Sequence, residues 1–110
     1  MNHRPGDIVL ADVLFFESGG SKRRPVIVAI DTGDDDLVAV PVTTRARHDH
    51  FDLPIADWRG AGLKAASTAR LHKMMTLSKT DIIQPLGRLQ AADLERFLDL
   101  LCRTYCHRAM

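Results

Sequence analysis

The run Ser21-Lys22-Arg23-Arg24-Pro25-Val26-Ile27-Val28 sets a dense cationic cluster at the start of a β-branched, apolar strand. A guanidinium is a planar fork of donors that stays charged at any cellular pH. An arginine held by a strand therefore suits phosphate recognition or stabilisation of a phosphoryl transition state, whereas lysine is a looser point charge. Taken alone, such a triplet reads more readily as solvated gatekeepers that protect a strand from aggregation. Other basic residues gather at Arg45 and Arg47 and at Arg70 with Lys73, and His48 and His50 lie beside the first of these groups. Imidazoles titrate in the range that general acid–base work needs, although loop histidines are commonly just solvated. Glu17, on a Gly-rich loop, is an outside candidate for the same task. As metal ligands, His48 and His50 form a His-x-His pair with no third partner, and Cys102, Cys106 and His107 lack a matching pair of soft ligands elsewhere. No metal or other cofactor is expected. The two thiols, four apart on a helical pattern, point the same way without favouring a bond, so they read as reduced cytosolic thiols.

These groups must be placed by a small scaffold. The chain has 110 residues, 45% of them hydrophobic, which fits a single domain over residues 1–110 able to bury a core without staples. Its formal net charge is +1, from 15 basic and 14 acidic residues, so any nucleic-acid contact has to come from local clusters and not from a globally basic surface. Asp31 and Asp34 to Asp36 concentrate acidity in one turn, which should face away from such a ligand. The N-terminus lacks the apolar core of a secretory signal, and no run approaches the roughly 18 apolar residues that span a bilayer. A soluble, cytoplasmic protein without membrane contact is the expectation.

Pro5-Gly6-Asp7 reads as a turn feeding a strand from Ile8 to Phe16, followed by a flexible loop from Glu17 to Ser21. Strands are expected over Val26 to Ile30 and Leu37 to Thr43, joined by a Gly- and Asp-rich hairpin turn. Shorter strands follow around Phe51 to Ile55, Ser67 to Leu71 and Ile82 to Leu89, with Pro54 and Pro85 pushing the first and last toward sheet edges or bulges. Met74 to Asp81 reads as a turn or one helical twist. From Ala91, Leu94, Phe97, Leu98 and Leu101 fall at helical spacing between charged residues, which marks a C-terminal amphipathic helix. Many short strands with polar turns and one terminal helix suggest a small, strongly bent, barrel-like sheet.

Read together and in order, Gly6-Asp7-Ile8-Val9, Lys22 to Val28, Pro41-Val42-Thr43-Thr44, Ala61-Gly62-Leu63 and Leu86-Gly87-Arg88-Leu89 resemble the PemK/MazF family of toxin endoribonucleases. Ser21 to Pro25, Asp57 to Leu63 and Arg70 to Lys73 resemble one branch of that family, and the likeness spans about residues 4 to 101. The resemblance implies a mainly β (α+β) fold: an SH3-like, CcdB/MazF-type small barrel with a C-terminal helix. It further implies a homodimer, metal-independent cleavage of single-stranded RNA, and inhibition by a cognate antitoxin protein. By its motifs the family's catalytic arginine matches Arg24, and its catalytic hydroxyl residue matches Thr43. Lys22, Arg23, Thr44, Arg45, Arg47 and Arg70 are then expected to bind RNA, Arg70 alternatively organising the dimer. Two other readings compete: a non-catalytic relic that still binds RNA or antitoxin, and a CcdB-like gyrase poison, since that toxin shares the fold. Gln90 stands where the branch often has a helix-capping serine, so the helix start should be less well satisfied.

Overall fold

The computed structural model describes residues 2–15, 20–45 and 49–106. β1 (Asp7–Phe15) and β2 (Gly20–Ile30) form a long antiparallel hairpin, in register from Ile8 opposite Ile27 to Phe15 opposite Gly20. β3 (Asp36–Thr43) returns along β2 after the acidic turn. In that turn Asp31 Oδ1 accepts the Gly33 N–H at 2.8 Å and Asp34 Oδ1 accepts the Asp36 N–H at 3.1 Å. Such local side-chain bonds are why Asp favours turns. β4 (Asp52–Pro54), β5 (Thr68–Arg70), β6 (Met75–Ser78) and β7 (Ile82–Arg88) complete a seven-stranded antiparallel sheet. Its order is β4-β5-β3-β2-β1-β7, with β6 paired to β3 beyond the stretch that β5 occupies.

The expected class is therefore observed, strands bent round a small core plus one helix, but the sheet is open instead of closed into a barrel. β6 has one partner, and β4 and β7, which end the main strand order, carry Pro54 and Pro85, which lack the N–H that a closing ladder would use. Pro85 also adjoins a bulge, because Ile8 pairs with Gly87 and Val9 with Pro85, leaving Leu86 as the extra residue. Two boundaries differ from expectation. β2 begins at Gly20 and not at Val26, because pairing with β1 carries the basic run into the ladder despite its weak strand propensity. Met75–Ser78 is a strand and not a turn: Leu37 and Val38 pair with Leu77 and Thr76, and single 3₁₀ turns at Leu71–Lys73 and Lys79–Asp81 flank it.

Strand alternation divides the core in two. Ile8, Ile27, Val40, Val42 and Ala69 point toward α1 (Ala91–Tyr105), where Phe97 and Leu100 cover them. Val9, Ala11, Val13, Val26, Val28, Leu37 and Ala39 point the other way and pack with Leu77, Met75 and Ile82. Burial on both faces explains the uninterrupted apolar run Val26 to Ala29. In α1 the buried side is Asp93, Phe97 and Leu100, with Leu94 and Leu101 beside them. Leu98, expected in that stripe, is 42% exposed, since it lies about 100° round the helix from Phe97.

The turn Asp57 to Leu63 is clamped between β7 and α1. A Cβ at Gly62 would come 2.2 Å from the Leu86 carbonyl oxygen, and one at Gly87 would come 2.1 Å from that of Ala61. Two backbones touch here, which only glycine permits. The buried Asp93 carboxylate accepts the N–H groups of Ala56 and Asp57 at 3.1 and 2.9 Å and pairs with Arg96. Gln90, at the helix N-cap, makes no side-chain cap; its amide donates instead to the carbonyls of Gly60 and Arg88 at 3.0 and 3.2 Å. Arg88 in turn pairs with Asp7 at 2.8 Å.

Candidate active site at the end of the β2–β3 ladder

The cationic run lies within β2, so its side chains alternate between the faces. Lys22 and Arg24 share the face of Val26 and Val28, and Arg23 takes the opposite one, where it pairs with Asp12 at 3.7 Å. Arg24 is half-buried, whereas Lys22 and Arg23 are exposed. The β2–β3 register ends at Val26 opposite Pro41; run on by two residues, it sets Arg24 across from Thr43 on one face. Thr43 in turn pairs with Thr68 of β5, and Thr68 with Pro54 of β4. Thr43 and Thr68 thus form a cross-strand pair, neighbouring strands lying about 4.8 Å apart, and Arg24 stands on the same face two residues beyond the paired stretch of β2. One step along, Arg70 occupies the next row of the same face, a diagonal neighbour of Thr43 at about 7–8 Å. The apolar surface of Val26, Val28 and Ala39 therefore gives way to a polar patch where β3 exchanges β6 for β5.

Local bonds orient the patch. Thr43 Oγ1 accepts the Arg45 N–H at 3.1 Å, which leaves its hydroxyl hydrogen to donate. Thr44 and Arg45 follow, both exposed. Arg70, grouped above with the RNA-contacting residues, is held firmly. Its Nε donates to Asp52 Oδ1 at 3.2 Å, its Nη2 lies 3.3 Å from His72 Nε2, and Asp49 stands 4.0 Å away. The Asp52 side chain is wholly buried. His50 is exposed on the turn between Asp49 and Phe51, so among the acid–base candidates it alone is described; Glu17 and His48 lie outside the described residues, as do Arg47 and His107. Trp58 is packed against the helix-side core with the Arg59 guanidinium 4.8 Å from its ring.

Asp52, His72 and Asp93 escaped the sequence reading. Asp52 meets Arg70 only through strand pairing at a separation of 18 residues. The nearest signal for His72 is its place two residues beyond Arg70, across the buried Leu71. Among the described residues, no group of three or more His, Cys, Asp or Glu side chains is arranged to hold a metal ion. Cys102 and Cys106 are free and exposed, and the hydrogen bond that the Cys102 thiol donates to the Cys106 sulfur pushes that thiol up, away from the nucleophilic thiolate. A shallow concavity of about 300 Å³ on the β7 edge, lined by His3, Lys79 and Ile82 to Pro85, contains none of the constellation.

Residues 4–104 match the family of PemK-like, MazF-like toxins of type II toxin-antitoxin systems. The chain belongs to this family. Solved structures share the fold. The Mycobacterium tuberculosis toxin MazF-mt6 overlays with a TM-score of 0.75 at 19% identity, over 96% of this chain and 100% of that one. An endoribonuclease in complex with its cognate antitoxin, from a mycobacterial species, gives 0.79 at 16% identity over 99% and 100%. MazF in a MazE-MazF structure from Deinococcus radiodurans gives 0.71 at 19% identity over 94% and 95%. Comparison of the sequence with curated proteins yields no match. No described helix is long and apolar enough to cross a membrane.

Proposed function

We propose that this family member is a toxin that cuts single-stranded RNA without a metal, with Arg24 and Thr43 at the reacting phosphate. The observation that supports this best is a half-buried arginine two residues beyond the paired stretch of β2, with an oriented threonine hydroxyl two residues beyond the matching end of β3, both on the face of Val26. The endoribonuclease and the MazE-bound MazF among its structural neighbours point the same way.

RNA contains its own nucleophile. The 2′-oxygen attacks the adjacent phosphorus, the 5′-oxygen leaves, and the 2′,3′-cyclic phosphate and 5′-hydroxyl ends form with no water consumed. The protein must align the 2′-oxygen with the leaving group and stabilise the phosphorane's added charge. It must also take one proton from the 2′-hydroxyl and return one to the 5′-oxygen. Arg24 supplies two parallel donors to the nonbridging oxygens, and their contribution grows as charge accumulates there. Thr43 donates one further hydrogen bond. Arginine is a poor base, since its pKa lies beyond about 12, so proton transfer falls to other groups. Lys22, Arg45 and Arg70 hold neighbouring phosphates and set the strand's register, which adds salt-sensitive affinity, whereas Arg23, on the opposite face with Asp12, does not.

As a toxin the chain acts on RNA in the cytoplasm as a homodimer, and a cognate antitoxin silences it by laying an apolar, acidic segment across the basic patch. The test is incubation of the purified chain with mixed single-stranded RNA and analysis of the product ends. Cyclic phosphate and 5′-hydroxyl ends at a recurrent short sequence are expected. Intact RNA in the presence of folded protein would favour a binding relic or a gyrase poison.

A further inference from the structure

His72 takes no part in the reading above, yet its surroundings are specific. Its Nε2 lies 3.3 Å from Arg70 Nη2, its ring lies 5.6 Å from that of Phe51, and its Nδ1 is buried with no partner among the described residues. Arg70 Nη2 can only donate, so His72 Nε2 must accept, and the ring is neutral with its proton on Nδ1. The other neutral tautomer would set N–H against N–H, and an imidazolium would set cation against cation. The proton therefore sits where it has no acceptor among the described residues, an arrangement that is rare in buried groups and costs free energy. What it maintains is an uncharged acceptor on Arg70. The buried Asp52 holds Nε, His72 holds Nη2, and Nη1 has no partner among the described residues, nor is it a buried orphan. Nη1 is thus solvent-accessible, on the face that Arg70 shares with Thr43 and Arg24. Two carboxylates already face this guanidinium, Asp52 at 3.2 Å from Nε and Asp49 at 4.0 Å from Nη2, so a further anionic group would turn the site against a phosphate. A neutral imidazole fixes Nη2 and adds no negative charge.

Resting on the reading of the chain as an RNA-cutting toxin, we propose that His72 is a positioning residue. Together with Asp52 it aims Arg70 Nη1 at an RNA phosphate beside the one that is cut. The occupant is a backbone phosphate of single-stranded RNA, held for register.

The test measures binding of a 2′-fluoro, uncleavable copy of the cut RNA between 50 and 200 mM salt, alongside steady-state cleavage. His72→Phe keeps a ring against Phe51 and removes the acceptor. Its log affinity should fall about 0.7 less steeply with log salt, the signature of one lost phosphate contact on a single strand. KM should rise on the order of tenfold with kcat little changed, as expected for uniform binding. His72→Gln, whose amide oxygen can accept, should restore both values, and His72→Phe should add nothing to Arg70→Met. A folded His72→Phe protein with the parent's slope and KM would overturn the inference, as would losses that add to those of Arg70→Met. Should His72→Phe fail to fold, nitrogen-15 spectra of the parent decide, with Nδ1 protonated and Nε2 bare as the expected result and a protonated Nε2 as the contrary one. A parent chain that binds no RNA overturns the functional reading and this inference's ligand together. The spectrum isolates failure of the His72–Arg70 bond itself.

Discussion

Thr43 presents a hydroxyl whose oxygen is already oriented by the Arg45 N–H at 3.1 Å, with its O–H left to donate. Thr43→Val keeps the shape and deletes the donor. Cleavage should drop about 10²- to 10³-fold, the usual loss for one transition-state donor, with binding of uncleavable RNA nearly unchanged. Thr43→Ser should retain most of the rate. Single-turnover kinetics of the two variants check this, and a Thr43→Val protein cutting at the parent's rate would remove Thr43 from the chemistry. Arg24 was legible because a charged residue on the threshold of a β-branched run has to be held by a strand. The split that the strand imposes was not: Arg23 points away from Arg24 and pairs with Asp12, a consequence of β2 starting at Gly20. Asp52 and His72 were invisible for a different reason. Their meaning lies in a guanidinium brought to them by cross-strand pairing and a 3₁₀ turn, and no local spacing encodes it.

At the scale of elements, the β2–β3 hairpin is tied to the turn after β6 through Asp31. Lys79 Nζ lies 2.8 Å from Asp31 Oδ1, and the N–H groups of His3 and Gly33 donate to the same carboxylate at 2.7 and 2.8 Å. The Lys79 bond foremost, and then the two N–H groups, hold this carboxyl well below the usual carboxylate range. The unfolded chain, whose Asp titrates near about 3.9, takes up that proton first, so acid favours unfolding. The stabilisation is complete above that value and is lost as pH falls toward the folded one. Denaturant unfolding followed from pH 7 to pH 2 should show the parent losing more stability below about pH 4 than Asp31→Asn does. Parallel losses would show that Asp31 is not linked to folding. The hairpin and helix were legible from Gly and Asp punctuation and from 3.6-residue periodicity. β6 was not, because Met75 to Ser78 becomes a strand by pairing with β3, which propensity over four residues does not reveal. Leu98 carried helical spacing yet faces outward, since the core takes a narrower stripe centred on Phe97.

For the molecule as a whole, the dispersed motifs fold to two places with separate duties. Gly6, Gly62 and Gly87 meet at the junction of the sheet, the Asp57 turn and α1, where Asp7 pairs with Arg88 and Gly6 N–H donates to the Val28 carbonyl at 2.8 Å. These motifs specify the fold and explain why family membership could be read from sequence. Arg24 and Thr43 lie just beyond the other place, the Val26–Pro41 end of the β2–β3 ladder, and the proposed function rests on them. Fold alone does not assign an activity, because the same scaffold serves unrelated tasks. The decisive comparison is therefore cleavage of mixed single-stranded RNA in EDTA by the parent chain and by Arg24→Ala, with melting curves to establish that both are folded. Parent cleavage that leaves cyclic phosphate ends, and a loss of at least about 10³-fold in the folded variant, is the expected result. Equal cleavage by both proteins, or parent activity that vanishes with chelation, would contradict a metal-independent mechanism centred on Arg24.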